Sequence, residues 1–512
     1  MQQQEKEAQE RIHWADVCAA DVDQEKPHYI ATGITPSGPI HLGNMREVLT
    51  GDIVHKAMIE RGLSAELIYV ADDFDPLRKV YPFLPDSYTK YIGMPICDIP
   101  CPCGNHANYA EHFLEPFLQS LEEMDVHPTI VRSSELYRSG TFTKEIATVL
   151  ERPGDIKEIL ERVSGRKLPD SWVPYYPICG KCHTLANAEI LSHNPETTSV
   201  TYRCSCGYVG VSDYSKGEGK LVWRVDWPMR WYNMGITVEP FGKDHAAAGG
   251  SYDTGKEIVE KIFGGVAPFP VQYEWISLKG KGSMASSTGV AISINEMLSI
   301  VSPDVLRYMI VRTRPERSIN FDPAMGLLSL IDEYARIAED KDSREYELSA
   351  ISAIATDIPF RHMITVVQIA QDKETIFDIL ARSGYNVDNK EAVLAGAERA
   401  RIWVETYAPD MVKFTVQTEL PPAVFAYTED DRNALRALLA HYVIMDEWKA
   451  ETIHNAIYRV GEDTGVNAKK IFTAIYLAIL GKERGPRAGW FLEALGKEFV
   501  VQRITDAVNA VA

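Results

Sequence analysis

The stretch that most restricts what this chain can fold into is Thr35-Pro-Ser-Gly-Pro-Ile-His-Leu-Gly-Asn44. The residues before it, His28-Tyr-Ile-Ala-Thr-Gly-Ile34, read as a short buried strand. After it, Met45, Val48, Leu49, Ile53, Val54 and Ala57 recur at helical spacing until Gly62 stops the helix. Ala65-Glu-Leu-Ile-Tyr-Val-Ala71 reads as a second strand, so the segment is one βαβ unit. A glycine turn that opens a helix lets phosphate oxygens reach the backbone, where free N–H groups and the helix dipole favour an anion. His41, read as one helical turn inside, is placed to hydrogen-bond phosphate oxygens as charge builds on them. The spacing fits neither a P-loop nor a G-x-G-x-x-G dinucleotide turn.

Seven of the eight cysteines fall between Cys97 and Cys206, and their spacing is not that of disulfide partners. Cys179-Gly-Lys-Cys182, twenty-one residues, then Cys204-Ser-Cys206 followed by Gly207 match a zinc ribbon, two thiolate knuckles closing one structural site. Cys97, Cys101, Cys103, His106 and His112 form a second, irregular group that offers metal ligands. The βα rhythm breaks from about residue 81 to 220, which reads as an insertion in the sheet domain. Just before it, Asp72, Asp73 and Asp75 sit at the carboxyl end of a strand, where open α/β sheets hold their ligands; they suit helix capping or a substrate ammonium.

The βα pattern returns near Leu221. Val222-Trp-Arg-Val-Asp-Trp-Pro-Met-Arg-Trp231 concentrates Trp, Arg and Asp, and Gly235-Ile-Thr-Val-Glu-Pro-Phe241 reads as a strand running into Gly242-Lys-Asp-His245. A carboxylate beside glycine at a strand end suits a ribose hydroxyl or an α-amino group. Gln272-Tyr-Glu-Trp-Ile-Ser277 reads as a further strand, followed by the cationic, hydroxyl-rich loop Leu278-Lys-Gly-Lys-Gly-Ser-Met-Ala-Ser-Ser-Thr-Gly289, suited to clamp phosphates. Beyond Ser302-Pro-Asp-Val-Leu-Arg307 the chain turns helical. Leu435, Leu438, Leu439, Tyr442 and Val443 form a buried stripe, and Ala474–Leu480 and Phe491–Ile504 continue in that manner.

The order of these segments resembles the class I aminoacyl-tRNA synthetases. His41-Leu-Gly-Asn44 stands in the place of their HIGH signature and Ser283-Met-Ala-Ser-Ser287 in that of KMSKS. Within that class the chain is most similar to the class I lysyl-tRNA synthetase family. The likeness runs from Thr32-Gly-Ile-Thr-Pro-Ser-Gly38 through Asp72-Asp-Phe-Asp-Pro-Leu-Arg78, Trp223-Arg-Val-Asp-Trp227 and Gly242-Lys-Asp-His245 to Gly481-Lys-Glu-Arg-Gly-Pro-Arg487. Both lysines of KMSKS are missing, replaced by Ser283 and Ser286.

The resemblance implies an α/β chain: a Rossmann-type parallel-sheet catalytic domain over residues 1–301 with the zinc-ribbon insertion. A linker over 302–345 and an all-α anticodon-binding domain over 346–512 would follow. It implies activation of L-lysine by ATP with Mg²⁺, then transfer to the 3′ adenosine of tRNA(Lys). ATP would meet Pro36, Ser37, Gly38, His41, Gly43, Asn44, Gly242, Asp244, His245 and Met284. Phosphate charge would be met by His41, Asn44, Ser286 and Ser287, with Lys279 and Lys281 replacing the absent lysines. Lysine would meet Gly33, Thr35 and His245, its stem lying along Trp223 and Trp227 and its ammonium on Asp226. Zn²⁺ would sit on Cys179, Cys182, Cys204 and Cys206.

Two other readings stay open. One is a class I synthetase for another amino acid, such as glutamate or arginine; Arg224 and Arg230 beside Asp226 leave room for an acidic substrate. The lost KMSKS lysines leave room for a non-catalytic tRNA-binding relative. The net charge of −19 argues against wholesale coating of nucleic acid but not against a local basic stripe. The longest strongly apolar run, Ile471 to Leu480, is too short to span a bilayer. With no signal-peptide layout at the N-terminus, the expected location is the cytoplasm, away from membranes.

Overall fold

The computed structural model describes residues 12–284, 291–351 and 357–510. By contacts the chain divides into two compact units. The first takes residues 1–298, 302–321 and 337–351, so the stretch after Ser302 belongs in large part with the sheet.

The first unit is built on β1 (His28–Ile34), β2 (Ala65–Ala71), β3 (Thr129–Arg132), β9 (Val238–Gly242) and β10 (Phe269–Tyr273), in the order β10-β9-β1-β2-β3 with every pair parallel. The chain starts at the centre of the sheet, builds outward through β2 and β3, and then returns to the other side of β1. Strand order therefore reverses between β1 and β9, and in open parallel sheets the crevice at such a reversal is where ligands bind. Helix α1 (Leu42–Glu60) joins β1 to β2, with Met45, Val48, Leu49, Ile53, Val54 and Ala57 all buried as their spacing requires. Gly62 leaves the helix at φ +85°, open to a residue without a Cβ.

Between residues 81 and 220 the chain returns once to the sheet, as β3. Four residues at an edge, none of them buried, carry no alternation that marks a strand in sequence. The cysteine ribbon is separate: β5 (Ala188–Asn194), β6 (Ser199–Cys204) and β7 (Val209–Asp213) form its antiparallel sheet. It grows from a two-stranded root, β4 (Tyr175–Pro177) with β8 (Gly219–Leu221). The run expected as one strand over 272–277 is split. β10 ends at Tyr273, and β11 (Ile276–Leu278) joins a second sheet with β12 (Gly282–Ser283) and β13 (Ile319–Phe321). Exposed Trp275 marks the break between them.

The second unit, as described, is helical. Leu435, Leu438 and Tyr442 are buried on the helix Glu429–Ile444, while Leu439 is half-buried and Val443, a further step around the helix, is exposed. The stripe expected over Phe491–Ile504 belongs to two helices, Ala488–Leu495 and Lys497–Asn509, divided by Gly496 at φ +87°. Among the described residues, no helix is long and apolar enough to cross a membrane.

Candidate nucleotide and amino-acid site

β1 delivers Gly33 and Thr35 to the crevice, and the Pro36–Ile40 turn delivers the start of α1. Ser37 closes that turn, its N–H donating to Thr35 O at 2.8 Å and its carbonyl accepting from Tyr109 Oη at 2.8 Å. Pro36 and Gly38 are buried in it. His41 is the N-cap of α1 rather than a residue one turn inside; its backbone N–H donates to Asn44 Oδ1 at 3.3 Å. The imidazole is 8% exposed, its Nδ1 has no hydrogen-bond partner among the described residues, and burial pushes its pKa down to about 4. A neutral, buried ring with an unmet nitrogen beside a helix N-terminus suits an incoming phosphate.

Gly43, expected to meet ATP, sits at the second position of α1. Its nearest neighbour is the His41 ring: a Cβ at position 43 would lie 2.9 Å from both Cε1 and Nδ1, with Met284 Cβ next at 3.9 Å. The glycine keeps the imidazole where it is. Chain on both sides of 285–290 is held against this helix end, through buried Met284 and through Leu42 N–H donating to Ile292 O at 3.1 Å. Ser286 and Ser287 lie outside the described residues. Lys279 and Lys281 are exposed around the β11–β12 turn, with Lys279 N–H donating to Phe321 O at 2.8 Å.

β9 ends at Gly242, which opens the short helix Lys243–Ala246; a Cβ there would meet Asp244 Oδ1 at 2.8 Å. Asp244 is exposed. His245 lies 5.3 Å from the Trp223 ring and 5.5 Å from that of Trp227, and burial lowers its pKa. Lys243 is paired with Glu274 at 2.6 Å and lies over the Trp275 ring, so its charge is already committed.

Helix α2 (Trp223–Asn233) sorts the Trp–Arg–Asp cluster onto faces. Trp223, Trp227 and Trp231 repeat every four residues and form one wall of a pocket that also takes in Gly33, Thr35 and His245; Trp223 and Trp227 stack at 5.4 Å. Asp226 and Arg230 are also four apart, on another face. Asp226, expected at the substrate ammonium, is fully buried and outside this lining; it accepts from Tyr137 Oη at 2.5 Å and lies 3.4 Å from Arg230.

The carboxylates in the pocket are others. Glu47 accepts from Gly33 N–H at 2.8 Å and from Tyr273 Oη at 2.7 Å, and burial pushes its pKa up to about 7. Glu239 accepts from Trp227 Nε1 at 2.7 Å and Trp231 Nε1 at 3.1 Å, and burial pushes it up to about 8. Asp72 also lines the pocket, facing Arg230 at 3.4 Å. A signal for Glu239 was present in the sequence: a charge inside the apolar strand Ile-Thr-Val-Glu-Pro-Phe needs partners or a function. Glu47 carried no such signal on its polar helix turn. The pocket is acidic with one apolar wall, and its cation Arg230 already faces Asp72 and Asp226. Arg224 reaches Thr254 and does not line it. An acidic amino acid finds no unspent cation in this lining.

Two clusters have the geometry of metal sites. The thiols of Cys179, Cys182, Cys204 and Cys206 lie within 4.8 Å of one another, with Cys179–Cys206 at 3.7 Å and Cys182–Cys204 at 3.6 Å. Four sulfurs about 2.3 Å from a tetrahedral zinc stand about 3.8 Å apart, so this set fits without rearrangement. Cys101, Cys103, His106 and His112 also converge, with Cys101 3.3 Å from His106 Nδ1 and Cys103 3.4 Å from His112 Nδ1. Cys97 is not part of that group; its thiol approaches Asp98.

Residues 12–355 match the family described as tRNA synthetases class I (K), and residues 378–508 match an anticodon binding domain. The lysine–tRNA ligase of Methanosarcina barkeri is 45% identical over 97% of this chain and 98% of its own length. That of Archaeoglobus fulgidus is 45% identical over 97% of this chain and all of its own. The enzyme of Methanocaldococcus jannaschii is 38% identical over 96% and 99%. A pocket at the β1–β9 reversal, a histidine-capped helix at its rim and full-length similarity agree, and the chain belongs to the class I (K) family of tRNA synthetases.

Proposed function

We propose that this chain is a lysine–tRNA ligase. In the first step a lysine carboxylate oxygen attacks the α-phosphate of ATP, giving lysyl-adenylate and pyrophosphate. In the second, the 2′-hydroxyl of the tRNA 3′ adenosine attacks the adenylate carbonyl and AMP leaves. No side chain acts as a nucleophile; the work is positioning and stabilisation of phosphate charge.

The observation that carries the reading is the pocket itself. Trp223 and Trp227 offer an apolar wall for a four-carbon stem, and Glu47 and Glu239 offer carboxylates for its ammonium. Asp72, beside Gly33 and Thr35, is the partner for the α-ammonium. His41 gives a neutral N–H to a phosphate oxygen, and Asn44 holds the backbone of that helix start. Gly242 and Asp244 meet the ribose, with His245 against the amino acid. Lys279 and Lys281 supply charge to the leaving pyrophosphate together with Ser286, Ser287 and the backbone near Met284. Mg²⁺ would enter with ATP and would supply partial neutralisation of the phosphate charge. Zinc on the four cysteines is structural, since four thiolates leave no open position. The helical unit holds the anticodon, in keeping with the domain matched over 378–508.

ATP–pyrophosphate exchange measured separately with lysine, glutamate and arginine tests this. Exchange with lysine is expected. Exchange with either of the others alone would reassign the substrate, and none with any of the three, with or without tRNA, would favour a non-catalytic tRNA-binding protein.

A further inference from the structure

We propose that Lys220 is a positioning residue through which the root of the cysteine ribbon sets the amino-acid site. The inference rests on the reading of Asp72 and Thr35 as part of that site.

Lys220 lies in β8, at the exit of the ribbon, opposite Tyr176 in β4. β4 leads at once into the thiolate cluster, with only Ile178 between Pro177 and Cys179, and Ile178 N–H donates to Glu218 O at 2.9 Å across the root. The two root strands therefore tie the cluster to the rest of the unit. Lys220 is 3% exposed, and its ammonium is 2.7 Å from Asp72 and 2.6 Å from Asp75, with Asp226 at 3.9 Å. Both close partners lead directly into the pocket. Asp72 lines it, and Asp75 Oδ2 accepts from the Thr35 hydroxyl at 3.2 Å. The neighbouring residue of β8 reinforces the link: Leu221 N–H donates to Tyr137 Oη at 3.2 Å, and that hydroxyl donates to Asp226.

The charges explain why a lysine is needed here. Asp72, Asp75 and Asp226 are buried within reach of two buried cations, Lys220 and Arg230, with exposed Arg78 a further 3.9 Å contact of Asp75 on the solvent side. Removing Lys220 leaves three carboxylates and one guanidinium out of water. That state is relieved only when carboxyls take up protons or swing away, and either change alters what Asp72 and Thr35 present to an amino acid. Lys220 touches no reacting atom, so its loss acts on lysine binding before it acts on chemistry.

The test is lysine-dependent exchange by the full-length, metal-replete protein, with KM for lysine, KM for ATP, kcat and zinc content read together. Lys220→Met is expected to raise KM for lysine at least tenfold, to leave KM for ATP within about twofold and to keep the parental zinc content. Lys220→Arg, which keeps the charge, should recover at least a third of that loss. Lys220→Met with Asp75→Asn restores the charge count and gives a soluble form should the single variant fail to fold; its KM for lysine should stay at least threefold above the parent. Cys206→Ser, which opens the cluster at an exposed ligand, should lower zinc content and raise KM for lysine in the same selective way. A parental KM for lysine in Lys220→Met, or in the double variant where the single one is insoluble, overturns the positioning role. Loss of zinc in Cys206→Ser with KM for lysine unchanged overturns the link to the ribbon. A parent protein with no lysine-dependent exchange would instead refute the assigned activity.

Discussion

Glu47→Gln isolates the charge in the amino-acid pocket. Glutamine keeps the shape and can turn its carbonyl oxygen to Gly33 N–H, keeping that 2.8 Å bond, while Tyr273 Oη, which donates to Glu47 at 2.7 Å, becomes the acceptor of the amide. What is lost is a carboxylate for the substrate ammonium. Hydrogen bonds to a charged group contribute about 1.5–3 kcal/mol, which corresponds to a roughly 10- to 150-fold rise in KM for lysine. KM for ATP should stay within about twofold. The pH profile gives an independent readout. Burial raises the Glu47 pKa to about 7, and the ammonium binds the ionised form. Protons therefore compete with lysine below that value, and affinity should fall about tenfold between pH 8 and pH 6. Glu239, pushed up to about 8, steepens that fall where it too must be ionised. Glu47→Gln should flatten the slope by about one proton. Exchange kinetics at several pH values decide the matter, and an unchanged KM for lysine with an unchanged pH slope would remove Glu47 from substrate recognition.

His41→Ala should slow exchange by about 10²-fold or more with ATP binding weakened far less, as loss of a donor used chiefly in the transition state does; equal losses in both would make it a ground-state ligand only. Because the His41 pKa is pushed down to about 4, its ring stays neutral across pH 6–9 and no titration of His41 should appear in the kcat profile over that range. Lys279→Ala with Lys281→Ala should slow adenylate formation while leaving KM for lysine near the parental value, and a parental exchange rate would place the compensating charge elsewhere. Metal analysis should find two zinc ions per chain, one of them lost on Cys101→Ser; a single ion unaffected by that change would leave only the four-cysteine site.

Signals that span a few residues could be read without the fold. The βα turn with His41, the helix stripe from Met45 to Ala57 and the paired cysteine knuckles each depend on local geometry, where spacing along the chain is spacing in space. The order of those signals was enough to show the family resemblance. The amino-acid pocket was different. Glu47, Asp72, Arg230 and Glu239 come from α1, the end of β2, α2 and β9, and the sheet order that brings them together reverses between β1 and β9. Proximity in sequence also misled: Asp226 lies between Trp223 and Trp227, yet its place on α2 turns it into the buried charge cluster with Arg230, Lys220 and Tyr137. Pro228 within that helix hid the four-residue repeat that separates the tryptophan face from the charged one. The chain alone therefore determined the glycine turn that leads to His41 and the convergence of the thiols, which are short-range. Which carboxylates line the pocket was decided by strand order and helix rotation, because burial and partnership are properties of the packed molecule.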